Sequence, residues 1–275
     1  MIEIPEAQTL AKQSNQFLTG RTMTKVEANH TPHGFAWYAG DPAQYPQILT
    51  DRVIESAFSV GGFVRIQAQD SEMVFFDGVN LRLIPAGTKR PAKHQFIAEL
   101  DDGSALVVTT QMYGGIMAFA KGAWENGYYQ VAADKPSPLS DEFSEVYFDK
   151  LCAGLPGKLS VKALLATEQR IPGLGNGVLQ DILFISGIHP KKKLSALTDE
   201  DKERIYHAIK TVLREMTDQG GRDTEKDLLG APGGYSTILS RKTAGTPCPR
   251  CNAIIKKEAY LGGSIYYCPS CQQAE

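Results

Sequence analysis

The chain has 275 residues, an apolar fraction of 42% and a formal net charge of −2. This length allows two domains, or one large domain with an appendage, and the near-neutral charge neither requires nor excludes a nucleic-acid partner. No apolar run approaches the length that spans a bilayer, so no membrane association is predicted. The first residues are acidic rather than basic, which predicts no signal peptide and a location in a reducing cytoplasm.

The first ten residues, MIEIPEAQTL, predict the start of a helix. Proline suits the first helical turn, and the acid Glu6 would face the positive end of the helix dipole. Helix formation accounts for Pro5 and Glu6. It does not account for Glu3, which stands ahead of the helix and close to the α-amine of Met1.

The rest of the chain divides by composition. Residues 1–125 alternate short apolar runs with glycine and Asp-Gly turns, which predicts antiparallel β-structure behind the opening helix. Residues 126–148 have the prolines, serines and acids of a linker. Residues 149–222 show helical spacing of apolar residues, with an N-cap at Thr198 or Asp199 and a stop at Gly220-Gly221. A connecting loop is predicted over 223–245, followed by a cysteine module over 246–275.

The cysteine module predicts one structural zinc ion. Two C-x-x-C pairs are separated by 16 residues, and their four thiolates complete a tetrahedral shell with no open position: Cys248, Cys251, Cys268 and Cys271. Two strands joined at Gly262-Gly263 are expected between the pairs. Basic residues, among them Lys256 and Lys257, exceed acidic ones in this ribbon, which suits a row of DNA phosphates. A ribbon that docks onto another protein would have the same pattern.

The segment EQRIPGLGNGVLQDILF predicts a turn between two helices. Gly173 and Gly175 permit backbone conformations that other residues resist, and Asn176 stands at the start of the second helix. Free N–H groups at a helix start, beside an amide and small glycines, can bind phosphate. A simple turn between packed helices explains the same residues.

Together these motifs resemble the formamidopyrimidine-DNA glycosylase/endonuclease VIII family of base-excision repair proteins. The resemblance is carried by the MIEIPE start, by GLGN at 173–176 and by the zinc finger that ends Cys271-Gln272, and it covers essentially the whole chain. It implies an α+β, multi-domain fold with an N-terminal β-sandwich flanked by helices, a helical helix–two-turn–helix domain and a C-terminal zinc β-ribbon. It also implies a monomer that binds damaged or abasic duplex DNA between these parts, in a bacterial-type cytoplasm at the nucleoid.

The family mechanism suggests roles for the N-terminal residues. In the family an exposed N-terminal amine attacks C1′ of a flipped-out nucleotide, and a neighbouring glutamate moves protons. By resemblance, Glu3 matches that glutamate and Glu6 matches the acid at the helix start. Lys162 and Asn176 correspond to phosphate-contacting positions.

Three departures from the family pattern fall on the chemistry rather than the scaffold. Ile2 stands where the family has its catalytic proline, so Met1 is expected to stay and to supply a primary amine. Gly62 replaces the family's hairpin lysine, and Gly263 replaces the finger's arginine.

Three hypotheses follow. The first is a DNA glycosylase with altered catalytic residues and possible abasic-site lyase activity, in which the Met1 amine replaces proline or Glu3 activates water. The second is a non-catalytic zinc-finger protein that binds damaged or structured DNA on the same scaffold. The third is a zinc-ribbon adaptor that binds protein.

Overall fold

The computed structural model describes residues 1–273, and it confirms a mixed α+β fold. The helices are α1 (Ile4–Leu18), α2 (Tyr45–Leu49), α3 (Gly127–Asp134), α4 (Glu145–Ala153), α5 (Val161–Ala166), α6 (Asn176–Ser186) and α7 (Asp199–Asp218). The strands are β1 (Met23–Ala28), β2 (Ala36–Tyr38), β3 (Ser56–Val60), β4 (Phe63–Ala68), β5 (Ser71–Ile84), β6 (Phe96–Leu100), β7 (Ala105–Ala120), β8 (Lys256–Tyr260) and β9 (Gly263–Tyr267). Short 3₁₀ turns occupy Pro42–Gln44 and Leu194–Ala196.

The N-terminal part is built on a sheet with the strand order β1-β6-β7-β5-β4-β3. The long strands β5 and β7 pair with each other along both halves of this sheet, and their register shifts between Asp77 and Val79. Apolar residues from both halves belong to one buried cluster, together with the inner face of α1. The two halves therefore enclose a shared core, and the predicted antiparallel β-structure is confirmed. The short strand β2 is the exception, because it runs parallel to β7.

The opening helix forms where the sequence predicts it. Pro5 lies in its first turn, and the backbone N–H of Glu3 donates to the side chain of Glu6 over 3.2 Å. Ala7, Leu10 and Ala11 are buried on its inner face. Helix α1 thus brings the residues just before it to the point where the sheet meets the second half of the chain.

The segment 126–148 contains more regular structure than its linker-like composition indicates. It forms α3 and the start of α4, because the side chains of Asn126 and Ser144 each accept a hydrogen bond from the N–H three residues later. Phe143 is buried against α4 and α7. The boundaries proposed for the domains stay predictions.

Helices α4 to α7 enclose a second core. The Thr198 side chain caps α7, as predicted, by accepting from the N–H of Asp201. The same helix ends just before Gly220, whose φ of +76° is the left-handed conformation that stops a helix. No helix in the described stretch 1–273 has the length and apolar character needed to cross a bilayer.

The C-terminal ribbon pairs β8 with β9 in antiparallel register, which confirms the predicted hairpin. Leu261 and Gly262 both have positive φ values, 48° and 73°, as a tight hairpin turn requires. The ribbon packs on α6, where the guanidinium of Arg250 lies 4.5 Å from the ring centre of Phe184. At the other end of α6, the side chains of Asn176 and Gln180 donate to the carbonyl of Ser264 and hold the hairpin turn near the start of the helix.

Candidate functional site

A cavity of about 470 Å³ lies where the N-terminus, the sheet, the α5–α6 turn and the ribbon turn meet. Its lining includes Ile2, Glu3, Asp77, Asn176 and Gly263. The volume falls in the range of cavities that bind small ligands, about 300–1,000 Å³. Motifs that are far apart in the sequence therefore share one cavity.

The N-terminal residues are held by the backbone. The N–H of Ile2 donates to the carbonyl of Asp77 over 2.7 Å, and the N–H of Ile4 donates to the carbonyl of Gly173 over 3.0 Å. The Ile2 side chain is buried in the sheet core and carries no functional group. Ile2 consequently positions its neighbours, and the Met1 amine reaches the Glu225 carboxylate at 2.6 Å.

The Glu3 carboxylate occupies the start of α6. One oxygen accepts from the N–H of Gly177 at 2.9 Å, and the other accepts from the N–H of Val178 at 2.8 Å. A carboxylate is stabilised there by the helix dipole. The prediction that these helix-start N–H groups would be free for phosphate is therefore wrong for these two, because Glu3 already uses them.

The glycines of the turn serve two different purposes. Gly173 has a φ of +78°, as its predicted backbone freedom requires. Gly175 has an ordinary φ of −101°, so the corresponding prediction for it is wrong. A Cβ on Gly175 would lie 2.6 Å from the Glu3 carboxyl carbon, and the residue is small because Glu3 approaches its backbone closely.

The buried Arg222 neutralises the acids of the site. Its guanidinium donates to both oxygens of Glu6, at 2.9 and 2.8 Å, and lies 3.6 Å from Glu3. Burial alone would lower the pKa of Arg222, but the two carboxylates outweigh burial and raise that pKa, so the group stays charged. Nothing in the sequence singled out Arg222, because its partners are more than 200 positions away.

Glu3 and Glu6 differ in what they can do. Burial raises the pKa of Glu3, and Arg222 and the two backbone N–H groups oppose that rise. Glu3 lines the cavity and can therefore exchange a proton with a bound ligand. Both Glu6 oxygens are engaged by Arg222, and Glu6 does not belong to the cavity lining, so it supports the site from behind.

Lys162 and Asn176 come together beneath the ribbon turn. The Lys162 ammonium donates to the carbonyl of Tyr260 at 2.5 Å, and the Asn176 amide donates to the carbonyl of Ser264 at 2.8 Å. A Cβ on Gly263 would lie 3.5 Å from both side chains. Burial lowers the pKa of Lys162. The two predicted phosphate contacts are thus adjacent, and both donate to the ribbon backbone.

The ribbon presents further positive charge. Lys256 and Lys257 are exposed on β8, and within residues 1–273 neither forms an ion pair. The acid of the same strand, Glu258, is neutralised by an ion pair with Lys191. Lys191, which follows α6 in the chain, is therefore bound to the ribbon.

The four ribbon cysteines fit a zinc ion. The Sγ atoms of Cys248 and Cys271 are 3.9 Å apart, those of Cys251 and Cys268 are 3.4 Å apart, and all four lie within 4.8 Å of one another. Zn–S bonds of about 2.3 Å place tetrahedral sulfur atoms about 3.8 Å apart. The N–H groups of Arg250 and Cys271 also point at ligand sulfurs. The donor set is that of a closed structural site.

Asp77 is a cavity residue that sequence reasoning missed. The pair Asp77-Gly78 suggested a turn, but the structure places it inside β5, at the register shift opposite Gly114. Asp77 has a φ of +61°, and burial raises the pKa of its carboxyl to about 6, opposed by the N-terminal amine. The turn prediction is wrong because β7 pairs with β5 on both sides of the irregularity.

Comparison with known proteins identifies the helical part and the fold. Residues 135–227 match the formamidopyrimidine-DNA glycosylase H2TH domain. The chain is 29% identical to a formamidopyrimidine-DNA glycosylase of Symbiobacterium thermophilum, over 99% of this chain and 89% of that protein. It is 27% identical to one from Bacillus cereus, over 99% of both.

Solved structures with the same fold include the MutM (Fpg) protein of Thermus thermophilus, with a TM-score of 0.81, 21% identity and 99% coverage of both chains. Another is Lactococcus lactis Fpg in complex with DNA that contains an abasic site. Its TM-score is 0.83 at 21% identity, over 98% of this chain and 99% of that one.

Proposed function

We infer that the chain belongs to the formamidopyrimidine-DNA glycosylase/endonuclease VIII family, from the match of residues 135–227 to the H2TH domain and from its similarity to formamidopyrimidine-DNA glycosylases along its length. On that premise we propose that it is a DNA-repair glycosylase with altered catalytic residues. Its substrate is a damaged or abasic nucleotide in duplex DNA, turned out of the helix into the cavity. By resemblance to that family, we also propose that it binds DNA as a monomer.

The observation that carries the proposal is the convergence on one cavity. Glu3, Asn176, the ribbon turn and the N-terminus all line it. Lys162, Lys256 and Lys257 add positive charge on the ribbon side, where a phosphate backbone would pass. A proton-exchanging acid beside a cationic surface is what N-glycosyl cleavage in DNA requires.

Glu3 is proposed to move the protons of base release. Its burial favours the protonated form, while the helix-start N–H groups and Arg222 favour the carboxylate. The two states are consequently closer in energy than for an exposed glutamate, which suits an acid–base role. Two routes use this acid: it activates a water molecule, or it assists attack by the Met1 amine.

The Met1 amine is proposed as the nucleophile of the lyase route. A primary amine forms Schiff bases competently once it is unprotonated. Here the amine is paired with Glu225 at 2.6 Å, so it must leave that carboxylate before it can attack. Ile2 contributes by holding Met1 and Glu3 in place, through its buried side chain and the hydrogen bond from its N–H to the carbonyl of Asp77.

Glycine stands at two positions where the family pattern has a cationic side chain, Gly62 and Gly263, and this changes how the site can bind phosphate. A Cβ on Gly62 would lie 3.1 Å from the Ile2 carbonyl, so the backbone of the N-terminus fills the space of a side chain there. A Cβ on Gly263 would make only ordinary contacts, at 3.5 Å from the side chains of Lys162 and Asn176, so these two polar groups lie directly beside it. Phosphate charge near the cavity is therefore proposed to be met by those two residues. Zinc, held by the four ribbon cysteines, would fix the hairpin that positions them.

A second function, binding of damaged DNA without catalysis, is favoured by one observation. The groups that would react are all engaged: the amine by Glu225, and both Glu3 oxygens by backbone N–H donors. A protein arranged in this way could hold an abasic or damaged site through Lys162, Asn176 and the ribbon alone.

Borohydride trapping distinguishes these functions. The chain, with its N-terminus checked by intact mass, is incubated with abasic duplex DNA and with duplexes that carry oxidised bases. We expect a covalent adduct at Met1 and measurable base release. Glu3→Gln should reduce base release about 100-fold or more while DNA binding persists. Glu200→Gln, an exposed acid on α7, serves as the matched control.

Each outcome assigns a function. Salt-sensitive binding to abasic DNA with neither adduct nor base release would establish the non-catalytic protein. Base release without an adduct would assign the water route through Glu3. A chain that binds no DNA at any salt concentration would reject both functions and leave the protein-binding ribbon.

A further inference from the structure

Asp77 has an irregular backbone conformation within β5. It lies at the point where the β5–β7 register shifts, and its φ of +61° is left-handed. Irregularities of this kind re-aim side chains and are common beside active sites. The backbone carbonyl of Asp77 accepts a hydrogen bond from the N–H of Ile2, so Asp77 is also fixed to the N-terminal segment.

The carboxyl of Asp77 faces an aromatic cavity with its hydrogen-bonding capacity unused. Asp77 is half-buried, and within residues 1–273 the structure gives its side chain no hydrogen-bond partner. Phe63, Phe76, Tyr113 and Tyr128 line the same cavity. Phe63 lies 4.8 Å from Phe76 and 5.6 Å from Tyr128 between ring centres, so these rings form a continuous apolar surface.

Asp77 lines the cavity and has no protein donor, so its oxygens are available to the polar groups of a ligand that enters. The ligand must present donors, because an ionised carboxylate only accepts hydrogen bonds. It must also offer a flat apolar face to the aromatic rings. A nucleobase has both properties, and proteins recognise flipped-out bases by stacking and by hydrogen bonds to the base edge.

We propose that Asp77 is the specificity-determining residue of this cavity and accepts hydrogen bonds from the N–H groups on the edge of a nucleobase stacked on its aromatic walls. This inference rests on the proposed function, because it requires a nucleotide to enter the cavity. It selects bases that carry amino or ring N–H donors on that edge, and it disfavours bases that present only acceptors.

The charged groups around Asp77 define the pH range in which the preference for bases with N–H donors should appear. Burial raises its pKa to about 6, and the Met1 amine, which faces it from the N-terminal segment, opposes that rise. Tyr113 on β7 and Tyr128 on α3 face it from the other side, and the Asp77 charge contributes to the raised pKa of each hydroxyl. Glu225 pairs with the same amine. Asp77 is thus a charged carboxylate that only accepts hydrogen bonds above about pH 6, and below that pH the neutral acid is a weaker acceptor.

The test compares two duplexes of one sequence. Each has a central nucleotide opposite an abasic analogue, with either 2,6-diaminopurine, which carries two amino donors, or unsubstituted purine, which has the same ring and no amino group. A 2′-fluorine on that nucleotide resists glycosyl cleavage. Fluorescence anisotropy gives both affinities for the wild type, Asp77→Leu and Asp77→Asn between pH 5.5 and 8.

At pH 8 we expect the wild type to prefer the diaminopurine duplex about tenfold or more, the effect of one charge-assisted hydrogen bond. The preference should decline as the pH falls through about 6. Asp77→Leu should bind both duplexes equally at every pH. Asp77→Asn, whose amide oxygen still accepts, should keep a smaller preference that does not depend on titration of residue 77. The pH dependence measured with this variant therefore also corrects for protonation of the bases.

Two results would overturn the inference alone: equal binding of both duplexes by a wild type that binds abasic DNA, or an unchanged preference in Asp77→Leu. A wild type that binds none of these duplexes would overturn the proposed function as well. Failure of the recognition step is therefore distinguishable from failure of the function.

Discussion

Asp77→Asn is expected to stabilise the protein, although it alters the cavity. Burial raises the pKa of the Asp77 carboxyl from its ordinary 3.8 to about 6. An acid whose pKa is higher in the folded than in the unfolded state stabilises the fold only below its unfolded pKa, and that contribution is lost as the pH rises through the folded pKa. Asparagine has almost the same shape, has no charge to desolvate and tolerates the left-handed φ of +61°.

The magnitude follows from the two pKa values. The interval from 3.8 to about 6, at 1.36 kcal/mol per pH unit, gives about 3 kcal/mol as an upper estimate. Urea unfolding at a series of pH values should show Asp77→Asn more stable by up to that amount at pH 8. The advantage should shrink below pH 6 and vanish near pH 4.

The matched control is Asp51→Asn. Asp51 also has a left-handed backbone, with a φ of +65°, but it is exposed. Its substitution should change the free energy of unfolding by no more than about 0.5 kcal/mol. If Asp77→Asn were no more stable than the wild type at pH 8, or if its advantage did not depend on pH, the desolvation argument would be refuted.

Three further outcomes are expected. Cys248→Ser should lose the bound zinc, measured as metal per chain, and weaken DNA binding, whereas Cys152→Ser should retain the metal; equal zinc content in the two variants would contradict the assigned ligands. Arg222→Met should destabilise the fold by about 3–5 kcal/mol in urea unfolding, because it leaves two buried carboxylates uncompensated; a loss below about 1 kcal/mol would count against the network. Gly173→Ala should cost several kcal/mol, because its Cβ would overlap the backbone of the β3–β4 turn, whereas Gly20→Ala, also left-handed but with open space around it, should cost only about 1–2 kcal/mol; similar losses in both variants would refute the steric argument.

Features encoded within a few neighbouring residues were predictable. The cap at Thr198, the proline-marked start of α1 and the hairpin at Gly262 each depend on contacts within one turn of chain. The four ribbon cysteines belong to the same class, because each C-x-x-C pair specifies two ligands locally. Such patterns need no knowledge of the tertiary fold.

The arrangement at the cavity depended on tertiary structure. The start of α6 was predicted to be open to phosphate, yet Glu3, 174 positions earlier than Gly177, fills it. The buried carboxylates are neutralised by Arg222, which is 216 positions from Glu6 in the sequence. Nothing in the sequence near either residue identifies the other as its partner.

The conformation at Asp77 also depended on residues that are distant in the sequence. Asp-Gly is a turn signal when the flanking residues are considered alone, but pairing with β7 on both sides keeps the strand continuous and converts the signal into an irregularity within it. The intrinsic preference of a residue for or against a strand is worth about 1 kcal/mol of stability. The hydrogen bonds and burial of a paired strand can together contribute more than that. The sequence by itself thus determined the elements whose signals are local and the group of four cysteines, and only the packing of distant segments decided which acids face the cavity and which charges hold them.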